Sequence, residues 1–313
     1  MQVILNSLVP IFAVIGLGIG LRRSNFLDAA ATQAFNRFAY FWGVPLFLFF
    51  KLSNAVAEGG LATRFAITLL LATVVTMLCG WLVATVAGVK FVSRGAFVQA
   101  SLRGNLAFLG LPLVAFLIAD LEANQRDLIE AAVLISLAPV IIFFNVASVG
   151  MLAIYNQDSQ ANFSWRGVLR NIVTNPILLA CLAGVIVQRQ GWQTPAAIER
   201  TCQIVGTAAF PMALIGIGSQ LAQISFSSQF QLPLVSTAIK CVVCPAACWI
   251  MAMLMGLDGA ERQVLVVLAA MPTAVSSYVL AEQMNSDAEF AASSVVVSTT
   301  LSILTLTVLL LIL

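Results

Sequence analysis

Histidine is absent from this 313-residue chain, and charge of either sign is scarce: 15 Lys/Arg and 13 Asp/Glu, 9% of the residues. A soluble domain carries roughly 25% charged residues, so this chain cannot cover a water-facing surface with polar groups. Soluble enzymes, secreted modules and disordered proteins are excluded together. Without histidine, neither a His-Glu-x-x-His zinc site nor the His base of a rhomboid-type serine protease can be built. Acids are also missing from the middle of the apolar runs. Asp120, Asp127, Asp258 and Asp287 sit at run ends or in loops, and Glu282 lies late in its run. An intramembrane aspartyl protease needs two mid-membrane aspartates, and Na⁺ or H⁺ antiport usually uses paired ones. Both readings lose their chemistry, and no enzyme is expected. No Lys/Arg tract or basic stripe offers a nucleic-acid surface. The six cysteines (79, 181, 202, 241, 244 and 248) all lie in or beside apolar runs. Cys241, Cys244 and Cys248 have a superficial metal spacing, but Pro245 interrupts it and no histidine completes it. They read as small packing residues, with neither a metal nor a cofactor expected.

What remains is 61% hydrophobic, with a mean hydropathy of +1.01. A spanning helix needs ~20 apolar residues, and ten candidate spans follow: 3–21, 34–53, 65–89, 94–119, 128–154, 168–188, 197–221, 232–256, 262–284 and 289–312. The first is followed, not preceded, by Arg22 and Arg23, the reverse of a cleaved signal peptide. It reads as a retained helix. The class is an all-α polytopic membrane protein whose environment is the lipid bilayer.

An internal repeat runs at an offset of 166 residues: Pro10 on Pro176, Ile11 on Ile177, Gly18 on Gly184, Arg23 on Arg189, Pro45 on Pro211 and Ser53 on Ser219. Two residues later in register, Arg94 falls on Arg262. A five-span unit has an odd number of crossings, so its second copy enters the membrane inverted, a build common among secondary transporters. The expected organisation is residues 1–155 as the first repeat, 156–167 as a connecting loop with Asp158, Ser159, Gln160 and Arg166, and 168–313 as the second repeat. Orientation is weakly encoded. Arg22, Arg23, Arg37, Lys90, Arg94, Arg166 and Arg170 lie on one side against Lys51, Arg64, Arg126, Arg189, Arg200 and Arg262 on the other. That balance points to both termini outside.

The chemistry-bearing positions interrupt spans four and nine. Span four reads Arg94 … Gln99-Ala-Ser101-Leu-Arg103-Gly104-Asn105 … Gly110-Leu-Pro112, and span nine reads Arg262 … Met271-Pro272-Thr273 … Ser276-Ser277-Tyr278. In the repeat register Gly104 falls on Pro272 and Asn105 on Thr273, so each copy has a helix breaker followed by a polar residue. About ten residues precede each break, or ~15 Å, half the hydrocarbon thickness. Broken backbone at that depth must be buried in protein or line a polar cavity. A half-helix starting there offers free N–H groups and partial positive charge, and two such ends meeting make an anion site. A plain kink is the alternative. Arg103 beside the first break is costly in lipid; it either attracts a carboxylate or forms a buried structural pair. Lys240, deep in span eight, reads as a structural cation or as a tether. Asn6, Asn36, Ser53, Asn54, Gln99, Ser101, Ser136, Asn145, Ser219, Gln220, Ser298, Thr299 and Thr300 are expected mostly to hydrogen-bond between helices. Gly16-x-Gly18-x-Gly20 and Gly216-x-Gly218 read as small-residue packing faces.

Asn36-Arg37-Phe38 … Val44-Pro45-Leu46, Asn105-x4-Gly110-x-Pro112-Leu113, and Pro272-x2-Val275 … Val279-x-Ala281-x3-Asn285 together resemble the auxin efflux carrier family, which includes plant PIN carriers and bacterial carriers of small dicarboxylates. The resemblance covers the whole chain. One departure is Gly104, where plant carriers have proline, and the long loop of many plant members is absent. The resemblance implies a plasma or bacterial inner-membrane carrier of small organic anions (malonate, malate or auxin-like carboxylates). Broken helices 4 and 9 would cross at Gly104, Gly110, Pro112 and Pro272. A scaffold of helices 1, 2, 6 and 7 would form a homodimer. A transport domain of helices 3–5 and 8–10 would move as an elevator. Carried over by residue, Asn105 would bind the carboxylate and Ser53 would line the site from the scaffold. The repeat register adds Thr273, and Arg103 beside the first break joins them as a substrate-binding candidate. The competing readings are a sodium-coupled symporter of the bile-acid type and a non-transport membrane sensor.

Overall fold

Long apolar stretches without period-two alternation fold as helices, because backbone groups in hydrocarbon can only be satisfied within the segment or in a closed barrel. A computed structural model of the chain describes residues 2–55, 59–156, 169–170, 173–223 and 231–313. The connecting loop, with Asp158, Ser159, Gln160 and Arg166, lies outside the described residues, as does the side chain of Asn6. Among the described residues there is no β-strand, and one isolated bridge is the sole sheet-like pairing.

The first part of the chain runs through α1 (Gln2–Arg23), α2 (Ala29–Phe38), a π turn (Ala39–Gly43), α3 (Val44–Ser53), α4 (Gly59–Val86), α5 (Phe91–Leu102), a second π turn (Leu106–Gly110), α6 (Leu111–Leu117) and α7 (Ala123–Ile154). The second part runs through α8 (Pro176–Arg189), α9 (Ala196–Leu221), α10 (Gln231–Ala238), a third π turn (Ile239–Val243), α11 (Cys244–Leu254), α12 (Gly259–Ala269), α13 (Ser276–Gln283) and α14 (Ala288–Ile312). Among the described residues, five segments are long and apolar enough to cross a bilayer: Gly60–Val86, Ala123–Ile154, Ala196–Leu221, Gln231–Leu254 and Ala288–Ile312. Leu106–Leu117 and Pro176–Arg189 are shorter and apolar. The molecule is an all-helical, polytopic integral membrane protein.

The three π turns share a cause. Each ends two residues before a proline: Pro45, Pro112 and Pro245. A proline ring inside a helix collides with the carbonyl one turn back and donates no hydrogen bond. Widening the preceding turn relieves the collision. The N–H groups of Val44, Leu111 and Cys244 accordingly reach back five residues, to the carbonyls of Ala39, Leu106 and Ile239.

Two sets of helices pack mainly among themselves. In one, α1 lies along α9, and α3 lies against α8 and α9. A Cβ on Gly18 would sit 2.3 Å from the Ile215 carbonyl oxygen, and one on Gly218 would sit 2.0 Å from that of Ile15. These two backbones touch, as the small-residue faces suggest. Thr32 and Ser219 add a hydroxyl pair at 2.6 Å between α2 and α9. In the other set, α4 packs on α5, α7 and α11, α10 on α14, and α13 on α14. α5 and α12 are at its centre: nearly every residue from Gly95 to Leu102 and from Val264 to Met271 is buried. Outward faces carry Leu78, Leu82, Val86, Ile204, Leu254 and Leu311, large and exposed. A lipid-facing surface requires that, and a soluble one would avoid it.

Candidate functional site

The two breaks meet. Helical hydrogen bonding stops at Leu102 and resumes at Leu106; it stops at Ala269 and resumes at Ser276. Between these points the chains run antiparallel, with Gly104 opposite Thr273. The Asn105 N–H donates to the Pro272 carbonyl at 2.8 Å, and the Ala274 N–H donates to the Arg103 carbonyl at 3.0 Å.

Backbone groups freed by a break in an apolar interior must find partners, and here they do. The Thr273 N–H donates to Ser298 Oγ on α14 at 3.1 Å, and the Thr273 hydroxyl donates to the Ala100 carbonyl at 2.8 Å. The Asn105 carbonyl accepts from Gly110 at 3.1 Å and from Leu109 at 3.4 Å, closing the π turn that leads to Pro112. Lys240 Nζ donates to the Ala269 carbonyl, at the end of α12. A buried ammonium placed on the negative end of a half-helix complements its dipole. The same side chain packs under Gly104, where a Cβ would lie 3.1 Å from Lys240 Cε. Lys240 therefore sits beneath the crossing as a structural cation.

Beside the crossing lies a cavity of about 220 Å³. Its crossover wall is made of Arg103, Gly104, Asn105, Leu106, Ala107 and Phe108 from the first break and Ala274, Val275 and Ser276 from the second. Both half-helix N-termini therefore border the same space. The opposite wall comes from the α1–α9 set: Asn36, Tyr40, Asn175 and Gln220, with Asn145 on α7 close by. Arg103 is the one charged residue among the described residues lining it, and no carboxylate is among them. Arg103 Nη1 is buried without a hydrogen-bond partner. Asn105 is 6% exposed, and its side chain caps nothing. A cation, an idle amide and two helix N-termini around one small space suit an oxyanion.

Of the residues expected from the sequence, Arg103, Gly104 and Asn105 border this cavity. Gly110 and Pro112 shape the half-helix behind it, and Pro272 supplies the bridging carbonyl. Thr273 does not border the cavity: it is 1% exposed and its hydroxyl is spent on Ala100. Ser53 does not either; it sits at the last turn of α3 and donates to the Phe50 carbonyl. Asn36, Asn145 and Gln220, expected to bond between helices, border the space instead. Tyr40 and Asn175 carried no signal in the sequence beyond Asn175 standing before a proline.

The sequence pattern of proteins described as "Membrane transport protein" matches residues 3–310. The chain is similar to "Uncharacterized transporter YfdV" of Escherichia coli K12, at 23% identity over 90% of this chain and 88% of that one. It is similar to "Putative malonate transporter" of Rhizobium meliloti, at 25% identity over 98% and 95% of the two chains. It is also similar to "Probable auxin efflux carrier component 1b" of rice, at 28% identity over 39% of this chain and 22% of that one.

Proposed function

We propose, from the premise that this chain belongs to the auxin efflux carrier family of membrane transport proteins, that it is a secondary carrier of small carboxylate anions. The anion binds in the cavity beside the helix crossing. Asn105 and the two half-helix N-termini hold the carboxylate, and Arg103 supplies the charge. The observation that carries this reading is a guanidinium nitrogen, Arg103 Nη1, buried without a hydrogen-bond partner beside a cavity lined by no acid among the described residues. A buried charge with no partner is expensive, and an anion arriving there offsets the cost. Similarity to a protein named as a malonate transporter favours a short acid as substrate.

The architecture proposed with it is ten spans in two inverted repeats. One argument for the symmetry is internal to the crossing. The bridge pairs Gly104 with Thr273 and Asn105 with Pro272. A two-fold axis relating 104 to 272 and 105 to 273 exchanges those two pairings. α1–α3, α8 and α9 serve as the scaffold, joining two copies in a homodimer, and the remaining helices form the transport domain. The broken helices are buried at the centre of that domain, so it carries the site as a body, in the manner of an elevator.

Binding is tested by thermal shift of the purified protein against a panel of short carboxylates, and flux in proteoliposomes. Stabilisation should grow with ligand concentration by mass action. A hydrogen bond to a charged group is worth ~1.5–3 kcal/mol, so Asn105→Ala and Arg103→Gln should each weaken the binding of the preferred acid by about 10- to 100-fold. Unchanged affinity in both variants would remove the anion from this cavity.

A further inference from the structure

The wall opposite the crossing contains a hydrogen-bond chain whose direction is fixed. Asn175 is the N-cap of α8. Its Oδ1 accepts from the Ile177 N–H at 2.9 Å and the Leu178 N–H at 3.3 Å. The cap therefore decides which end of the amide is oxygen, a choice that side-chain shape alone leaves open. The other end, Nδ2, faces the Tyr40 phenol and donates to it at 3.3 Å. Tyr40 is thus the acceptor in that bond. A phenol has one proton, and that proton must go elsewhere; it has no acceptor among the described residues. Tyr40 borders the cavity, on the π turn Ala39–Gly43, with its ring set edge-on against Phe41 at 5.0 Å. One helical turn back, Asn36 Nδ2 is buried without a partner. This wall carries unspent donors and no charge.

We infer that Tyr40, held by Asn175, is a specificity-determining residue: its hydroxyl donates to a second oxygen of the bound acid, beyond the carboxylate held at the crossing. The inference rests on the carboxylate reading above. Asn105, Arg103 and the half-helix amides are enough donors for one carboxylate, so the Tyr40 proton is available for another acceptor. The substrate class is a short acid bearing acceptor oxygens at both ends. Tyr40 touches the substrate, and Asn175 is a positioning residue acting through Tyr40.

The probes are malonate and propionate, which have equal carbon counts but differ in the second carboxylate. Affinity is measured for each on the purified full chain. The wild-type protein should prefer malonate by at least tenfold. Tyr40→Phe keeps the ring and its packing, and should cut that preference by about tenfold while leaving propionate affinity unchanged. Asn175→Ser keeps an oxygen to cap α8 and adds no charge, but lacks the arm that reaches Tyr40. It should cut the preference by a smaller factor in the wild-type background and by nothing more in the Tyr40→Phe background. A purely structural role would lower the unliganded melting temperature or weaken both acids alike. A wild-type protein that binds no carboxylate of the panel overturns the carboxylate reading and this inference with it. Malonate binding whose preference over propionate survives Tyr40→Phe, or no wild-type preference at all, overturns this inference alone.

Discussion

At the scale of the residue, glycines in one helix have opposite duties. Gly16 and Gly18 are two positions apart in α1, yet a Cβ on Gly16 would meet nothing within 4 Å while one on Gly18 would overlap the α9 backbone. Gly218 is the reciprocal contact. Gly218→Ala should force α1 and α9 apart and lower stability by about 1–3 kcal/mol, as overpacking does. Gly16→Ala should be neutral or add a few tenths of a kcal/mol through helix propensity. Thermal unfolding in detergent separates the two. The sequence marks small-residue faces but leaves open which of three evenly spaced glycines is the contact, because that depends on the rotation of the helix. The same limit explains the candidate site. Asn105 and Arg103 could be read from the break they flank. Thr273 occupies the symmetry-related position, but a nearby carbonyl captures its hydroxyl. Tyr40 and Asn175 are 135 positions apart, and no local pattern joins them.

At the scale of the element, the breaks themselves were legible, since glycine and proline followed by polar residues at half-span depth leave few other outcomes. The π turns were not. One extra residue in a turn leaves the hydropathy of a run looking unchanged, whether the turn is apolar or, like Ile239–Val243, holds a lysine. The pairing of the freed backbone groups also lies beyond sequence, because the acceptor for Thr273 is Ser298, 25 residues on and in another helix. Ser298→Ala would leave that N–H buried and unpaired, which costs ~1–3 kcal/mol. The expected outcome is a lower unliganded melting temperature, with Ser298→Thr, which keeps the hydroxyl, recovering most of the loss. An unchanged melting temperature in Ser298→Ala would mean that the bond contributes nothing to holding the break.

At the scale of the whole molecule, one ion pair among the described residues joins the two helix sets: Lys51 near the end of α3 to Glu130 on α7, at 2.9 Å. Both side chains are partly exposed, at 34% and 18%, so the pair is a weak tie and not a structural pin. If the sets move past each other during transport, it must open in each cycle. Glu130→Gln should therefore speed exchange in proteoliposomes by a factor of a few, with the swap Lys51→Glu/Glu130→Lys returning it towards wild type. Slower or unaltered exchange in Glu130→Gln would show that the pair does not restrain the motion. The two hydrogen bonds that rivet Asn105 to Pro272 and Ala274 to Arg103 have a mechanical consequence as well. They hold the crossover wall of the cavity as one unit, so if the two helix sets move past each other, that wall keeps its internal spacing while its distance to the wall of Tyr40 and Asn175 changes. On the carboxylate-carrier reading, and with no second ion coupled, the protein equilibrates its acid, and the cell sets import or export by which compartment makes the acid and which consumes it.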